Sequence, residues 1–240
     1  MKNLAILWGS SGAYGNDGVG NKTVYMYALD LIKEGAKQHG FEPHLVLYPG
    51  HPDENGTTNG TLSFCSALLK VLDDCRKLQP EWIIGRSLGA LLAPAALSCG
   101  GDWVKVCRGA VMWGPGFKTY MDAEWPTAER KAAAIASYLK HGTRLASDYF
   151  DTIPEVESLV PGAKSNLRFA RGTADKYNSN GDLKRLELLH SAAQPGFKRR
   201  VVFLERVDHT PTRWTLSAEQ IQCYFNCLFD VSFTHNTAPD

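Results

Sequence analysis

The residues of this 240-residue chain with the clearest chemical potential surround Ser87, in the run Gly85-Arg86-Ser87-Leu88-Gly89. An apolar run at 82–84 precedes the serine and a helix-forming run at 90–93 follows it. This GxSxG pattern is typical of a nucleophile elbow, a strand-to-helix turn in which side chains at the two glycine positions would collide with their neighbours. The string also occurs by chance in small-residue loops, but its flanks favour the functional interpretation. We predict that Ser87 is a nucleophile and that the amide of Leu88, at the helix start, stabilises an oxyanion.

An acid and a histidine follow two later apolar runs. Asp175 comes after the run at 167–170, and His209 comes after the run at 200–204. Each residue therefore stands where a strand of the same predicted sheet ends, and ligands gather at the carboxyl ends of such strands. The chain order is Ser87, Asp175, His209 along one edge of the sheet.

Other residues compete for the last two positions. His51 also follows a predicted strand, in a Pro-Gly-His-Pro turn, whereas the remaining histidines fall on helices, strands or the tail. We favour His209 over His51 on this positional argument. Asp208 adjoins His209, and neighbouring residues of an extended loop point apart, so Asp175 is the preferred acid and Asp182 a further alternative.

The elements that must position these groups alternate along the chain. Short apolar runs predict six strands, at 4–8, 44–48, 82–84, 107–113, 167–170 and 200–204. Helical patterns fall between them, and a capping box at Ser217 and Gln220 predicts a last helix. Pro94, inside the helix after Ser87, predicts a kink or an early end. The order predicts one α/β domain over residues 1–230, with a doubly wound, mostly parallel six-stranded sheet flanked by helices, and a loose tail at 231–240.

The stretch from 117 to 165 is the least regular part of the chain. It has helical patterns near 128–140 and 148–159 and several prolines. An insertion at this point lies above the carboxyl edge of the sheet, so we predict a small helical lid. Four aromatic residues in this region, at its entrance or shortly after His209 are candidates for an apolar acyl or alcohol pocket: Trp113, Phe117, Trp125 and Trp214.

Three places in the chain resemble the α/β-hydrolase superfamily: the GRSLG run, the Gly-Thr-Ala-Asp turn that ends at Asp175, and the loop with His209. The resemblance runs from residue 4 to about residue 229. It implies that Ser87 attacks the substrate, that His209 is the general base and then the general acid, and that Asp175 orients the imidazole.

The resemblance also implies a second oxyanion donor in the loop after the first strand. Ser10 is our choice for this donor, and Ser11 is the next. The chain has Trp8-Gly9 where the family usually has His-Gly, and its first predicted strand is the one before this loop. We therefore expect the first strands of many members to be missing, as in a small, trimmed version of the fold.

The implied activity is that of a serine hydrolase, a carboxylesterase or thioesterase that works through an acyl-enzyme. Such an enzyme needs no cofactor and no metal, and its partner is a small-molecule acyl substrate. Since fold does not fix function, a hydrolase-like protein that binds a small molecule or a protein partner with little turnover is the alternative. The oligomeric state stays open.

Composition excludes several other classes. The net charge of +1 and the pI near 7.6 come without a basic stripe, which argues against nucleic acid. The first apolar run is too short for a signal peptide, and no run approaches a membrane span. The six cysteines form no CxxC pair and no cluster typical of a metal site, so we expect reduced thiols and a cytoplasmic location; they are Cys65, Cys75, Cys99, Cys107, Cys223 and Cys227.

One stretch, residues 15–23, resembles a phosphate-binding P-loop with its lysine displaced. Asn21 separates Gly20 from Lys22, whereas a P-loop needs glycine directly followed by lysine to aim the ammonium group at the phosphate. We therefore do not expect nucleotide binding.

Overall fold

A sheet of six parallel strands organises the protein, for which the computed structural model describes residues 2–14, 24–204, 207 and 209. The spatial order is β2-β1-β3-β4-β5-β6. The strands are β1 Lys2–Leu7, β2 Phe41–Val46, β3 Trp82–Arg86, β4 Gly109–Trp113, β5 Asn166–Gly172 and β6 Arg199–Leu204. The predicted doubly wound sheet is confirmed, and all its described pairings are parallel.

Helices cover both faces of the sheet, and this explains why its strands are so apolar. Along β1, Leu4 and Ile6 pack with the helix α1 Val24–Gln38, whereas Ala5 and Leu7 pack on the opposite face. That second face is covered by α2 Phe64–Leu78, α3 Leu88–Cys99 and α8 Asn180–Ala193. All five residues of β3 and of β4 are buried, as expected for parallel strands between two layers of helices.

The helix α3 contradicts the expectation that Pro94 ends it early, because it continues to Cys99. Proline inside a helix removes a hydrogen bond and costs about 3 kcal/mol. Burying one leucine side chain contributes about 1.5–3 kcal/mol, and α3 buries four, at positions 88, 91, 92 and 97. Burial of the whole helix therefore outweighs the local proline cost.

The strand β2 begins three residues before the expected 44 and ends at Val46 rather than at 48. Pro43 lies inside this strand. Proline is tolerated there because β2 is at the end of the strand order, where one row of amides needs no strand partner.

Residues 117–165 divide into two parts. The helices α4 Lys118–Glu124 and α5 Ala128–Lys140 contain no buried residue, and α4 was not predicted. The later helices, α6 Tyr149–Thr152 and α7 Val156–Leu159, contribute Tyr149, Phe150 and Val156 to the main core. They form two short helices rather than the single predicted pattern because Pro154 separates them.

Main-chain hydrogen bonds fasten the start of the second part to the body of the protein. The amide of Arg144 donates to the Gly50 carbonyl, and the amide of Leu62 donates to the Arg144 carbonyl, each at 2.8 Å. The prediction of a lid therefore stays a prediction, and it fits α4 and α5 better than the segment from 143 onwards.

The predicted last helix and the tail at 231–240 lie outside the described residues. Within the part that is described, no helix is long and apolar enough to cross a membrane.

Candidate active site

Ser87 lies at the point where the chain leaves β3 and enters α3. Its backbone has φ 53° and ψ −114°, a conformation that residues with a side chain rarely adopt. A Cβ atom on Gly85 would lie 2.1 Å from the carbonyl oxygen of Gly89, and one on Gly89 would lie 2.1 Å from that of Leu7. Both glycines are therefore required by close backbone contacts, as the sharp turn demands.

Hydrogen bonds fix the turn on both sides. The amide of Ser87 donates to the carbonyl of Trp113 at 2.9 Å, and the amide of Gly89 donates to the carbonyl of Trp8 at 3.0 Å. Leu88 is the first residue of α3, and first-turn amides point out of a helix without an acceptor inside it. This arrangement leaves the Leu88 amide suited to an oxyanion.

The structure brings Asp175 and His209 together. His209 Nδ1 lies 2.8 Å from Asp175 Oδ2, and the Asp175 side chain is fully buried. Two further donors hold the carboxylate: the Tyr177 amide reaches Oδ1 at 2.9 Å, and Asn178 Nδ2 reaches Oδ2 at 3.1 Å. Burial raises the pKa of Asp175, but the bond to His209 and these two donors outweigh it, so the pKa is below its usual value.

The pair lies near the turn that contains Ser87. A Cβ atom on Gly114 would lie 3.0 Å from Asp175 Oδ2 and 3.2 Å from His209 Nδ1, and Gly114 follows the residue whose carbonyl binds the Ser87 amide. Arg86, directly before Ser87, donates from Nη2 to the His209 carbonyl at 3.3 Å. Ser87, Asp175 and His209 therefore meet at one edge of the sheet.

The loop after β1 lies against Ser87. A Cβ atom on Gly9 would lie 3.0 Å from Ser87 Cβ and 3.4 Å from Ser87 Oγ. The Gly12 amide donates to the Gly9 carbonyl at 3.1 Å, which makes Ser10 and Ser11 the central residues of a tight turn. The loop leaves the sheet between β1 and β3, where the strand order reverses and ligands bind in such sheets.

The rival histidine and the described rival acid have other partners. His51 is 4% exposed, packs on the Tyr48 ring at 4.9 Å, and would meet a Cβ atom on Gly12 at 3.3 Å. Asp182 caps α8, accepting from the amide and the hydroxyl of Ser179 at 2.7 and 2.8 Å. Asp208 lies outside the described residues. The geometry therefore favours His209 and Asp175.

The four candidate pocket residues have different positions. Trp113 and Phe117 are each 1% exposed and pack into the cores on opposite faces of the sheet. Trp125 is half-buried at the end of α4, with its ring 4.6 Å from that of Phe150. Trp214 lies outside the described residues. A role in a substrate pocket stays a prediction for all four.

Sequence reasoning missed several residues that support the site. Asn178, which binds Asp175, and Tyr177, whose ring lies edge-on to His209 at 4.9 Å, follow the acid within three positions, so a search for local carboxylate contacts could have found them. Arg86, which the sequence leaves open as an anion contact or a structural residue, is 2% exposed. Its guanidinium lies 5.2 Å from the Trp8 ring centre and donates to the His209 carbonyl.

Among the described residues no group of three or more histidine, cysteine or acidic side chains could hold a metal ion.

The chain has the α/β-hydrolase fold: its six-stranded, all-parallel sheet is flanked by helices on both faces, as in solved structures of this fold. The chain matches no protein-family model and no curated protein. Among solved structures it is similar to an esterase from Pyrococcus furiosus, with a TM-score of 0.68 and 16% identity over 95% of this chain and 80% of the other.

Two further structures give the same result. A structure of Est1E from Butyrivibrio proteoclasticus with ferulic acid bound has a TM-score of 0.60 and 13% identity, over 96% of this chain and 87% of that protein. A thioesterase domain from the curacin biosynthetic pathway has a TM-score of 0.60 and 14% identity, over 95% and 91%. At these identities the similarity is one of fold.

Proposed function

We propose that this protein is a serine hydrolase that cleaves a carboxylic ester or thioester through an acyl-enzyme. The observation that carries the proposal is the 2.8 Å bond between Asp175 and His209 at the sheet edge where Ser87 is held in its elbow. Nucleophile, base and orienting acid are the parts that this chemistry needs.

In the first half of the reaction, His209 removes the proton from Ser87 Oγ as it attacks the carbonyl carbon. Nδ1 of the imidazole is hydrogen-bonded to Asp175, so Nε2 is the atom that serves as base. The carbonyl oxygen becomes an oxyanion, which the amides of Leu88 and Ser10 stabilise. The protonated His209 then donates its proton to the leaving alcohol or thiol.

In the second half, water takes the place of the leaving group. His209 removes a proton from the water, which attacks the acyl group on Ser87, and the same oxyanion donors act again. The Asp175 carboxylate stays ionised beside the imidazolium in both halves, which its lowered pKa favours. The acid product leaves and Ser87 recovers its proton.

The similar structures support both kinds of substrate. Two are described as esterases or bind ferulic acid, and the third is a thioesterase domain. Esters and thioesters share the acyl-enzyme route and differ in the pocket that accepts them, so the proposal covers both.

The first test is hydrolysis of p-nitrophenyl esters of rising acyl length by wild type and Ser87→Ala. We expect turnover by wild type and none above background by the variant. Ser98→Ala is the matched control, because Ser98 lies on α3 with its hydroxyl bonded to the Pro94 carbonyl at 2.8 Å, away from the elbow. Wild-type turnover that survives in Ser87→Ala contradicts the assignment of the nucleophile.

The second test concerns the acid. Asp175→Asn should lower kcat by about 10⁴-fold, since an amide stabilises the wrong imidazole tautomer. Asp182→Asn, which changes the helix cap, should keep the wild-type kcat. The reverse result, a slow Asp182 variant and a normal Asp175 variant, overturns the choice of acid.

The alternative, a binding protein with little turnover, is separated from the enzyme by labelling. A fluorophosphonate reacts stoichiometrically with an activated serine and not with an inert one. No turnover together with no labelling of Ser87 therefore favours the binding protein.

We also propose that the protein works in a reducing compartment such as the cytoplasm. All four cysteines among the described residues are free thiols: Cys65, Cys75, Cys99 and Cys107. Cys75 and Cys107 are buried, and burial raises the pKa of each thiol to about 12, which keeps them unreactive.

A further inference from the structure

Ser10 and Tyr149 form a hydrogen-bonded pair of hydroxyl groups, and Ser10 follows Gly9, the residue that lies against Ser87. Ser10 Oγ and Tyr149 Oη are hydrogen-bonded across 139 positions of sequence, from the turn after β1 to α6. Tyr149 is 1% exposed, and burial raises the pKa of its phenol well above the usual value. The phenol therefore keeps its proton at all working pH values.

The number of hydrogens in this pair leaves one unused. Each hydroxyl carries one hydrogen, and only one of the two lies between the oxygens. In one of the two arrangements open to the pair, Tyr149 donates and Ser10 Oγ accepts. The Ser10 hydrogen then points away from Tyr149, and the Ser10 hydroxyl has no other hydrogen-bond partner among the residues that the structure describes.

The turn that carries Ser10 is held on every residue. Gly9 lies against Ser87, with a Cβ position 3.4 Å from Ser87 Oγ. Thr143, fully buried, donates its hydroxyl to the Ser11 carbonyl at 2.8 Å. Gly12 packs on the ring of His51. A turn fixed in this way holds Ser10 directly after Gly9, the residue that lies against Ser87.

We propose that the Ser10 hydroxyl is a further donor to the oxyanion, in addition to the amides of Leu88 and Ser10, and that Tyr149 is the positioning residue that aims it. The inference rests on the proposed hydrolase function. Tyr149, by donating to Ser10 Oγ, also polarises the Ser10 hydroxyl and makes it a stronger donor. No bond forms or breaks in this role, because the hydroxyl only stabilises negative charge.

The experiment compares Ser10→Ala, Tyr149→Phe and the double variant with wild type. Ser10→Ala keeps the backbone amide and removes only the hydroxyl. We expect kcat to fall by about 10- to 100-fold with KM changed by less than about threefold, because the donor acts on the transition state. The Ki of a trifluoromethyl ketone, which forms a tetrahedral adduct on serine, should rise by the same factor as kcat falls.

The double variant tests the positioning role. Tyr149→Phe alone should lower kcat by a smaller factor than Ser10→Ala. Since Tyr149 acts through the Ser10 hydroxyl, the double variant should be no slower than Ser10→Ala alone. Tyr120→Phe is the matched control: its hydroxyl, in the same region of the chain, donates to Asp182 at 3.1 Å, and its loss should leave kcat unchanged.

Each outcome decides a separate point. An unchanged kcat and Ki in Ser10→Ala overturn the inference and leave the hydrolase proposal standing. Multiplicative losses in the double variant overturn the positioning role of Tyr149. A wild-type protein that neither hydrolyses esters nor reacts with a fluorophosphonate overturns both the inference and the proposed function.

Discussion

Replacing Ser87 by glycine should stabilise the fold while removing the nucleophile. At φ 53° and ψ −114° a residue with a Cβ atom is strained, and such strain costs about 1–3 kcal/mol. Glycine relieves the strain but gains freedom in the unfolded chain, which costs about 0.5–1 kcal/mol. The free energy of unfolding should therefore rise by up to about 2.5 kcal/mol in Ser87→Gly.

Calorimetric melting of wild type, Ser87→Ala and Ser87→Gly measures this gain. In a domain of this size a gain of 1 kcal/mol raises Tm by about 2–4 °C. Ser87→Ala keeps the Cβ atom and the strain, so its Tm should stay near that of wild type, and the step from alanine to glycine isolates the backbone contribution.

Gln79 supplies a comparison site. It is the second described non-glycine residue with positive φ, and at φ 48° and ψ 58° it occupies the ordinary left-handed conformation of a helix end. Gln79→Gly should therefore raise Tm by less than Ser87→Gly does. A Ser87→Gly protein that melts at or below Ser87→Ala refutes the reasoning that the elbow stores strain.

Two further predictions concern the surroundings of the site. Burial lowers the pKa of His51 from 6.5 to about 4, so the unfolded chain binds a proton near pH 6.5 that the folded chain does not bind until about pH 4. The free energy of unfolding should therefore fall as pH drops from 7 to 4. In His51→Leu, urea unfolding at each pH should show a fall that is smaller by about 3 kcal/mol. A variant with the same pH dependence as wild type contradicts a neutral, buried His51. A Cβ atom on Gly172 would lie 1.8 Å from the Val207 carbonyl oxygen, so Gly172→Ala should displace the segment with His209. We expect this variant to have a free energy of unfolding lower by about 1–3 kcal/mol and to hydrolyse esters more slowly. The control is Gly181→Ala, because a Cβ atom there would lie 3.7 Å from the hydroxyl of Ser179. This variant should keep both the stability and the hydrolysis rate of wild type.

Local patterns predicted the elements well where one physical signal dominated. The helix α5 has the predicted bounds, 128–140, because an amphipathic run follows a capping Thr127 whose hydroxyl accepts from the Arg130 amide. The bounds of β2 and the length of α3 were predicted less well, and each element contains a proline whose local penalty is overcome by its place in the fold. No local rule contains the information that β2 is at the end of the sheet or that ten of the twelve residues of α3 are buried.

The candidate site also has some residues with a local sequence signal and some contacts without one. Ser87 could be predicted from five consecutive residues, and Asp175 and His209 from their positions after strands. The contacts that orient these groups join distant parts of the chain: Arg86 to His209 over 123 positions and Ser10 to Tyr149 over 139. A single sequence has no local signal for such pairs. Nothing near Arg86 in the sequence indicates a contact with His209, and nothing near Tyr149 indicates a contact with Ser10.

The elbow combines two destabilising features that the surrounding core compensates. Ser87 has a strained backbone, and Arg86 before it is a cation 2% exposed, with its guanidinium near the rings of Trp8 and Tyr25 at 5.2 and 5.5 Å. A buried cation is tolerated only when aromatic faces and hydrogen-bond acceptors surround it. Because Arg86 donates to the carbonyl of His209, this buried cation also links the residue before Ser87 to His209. Strain and buried charge are thus concentrated where β3 meets α3, and all five residues of β3 and the first ten of α3 are buried.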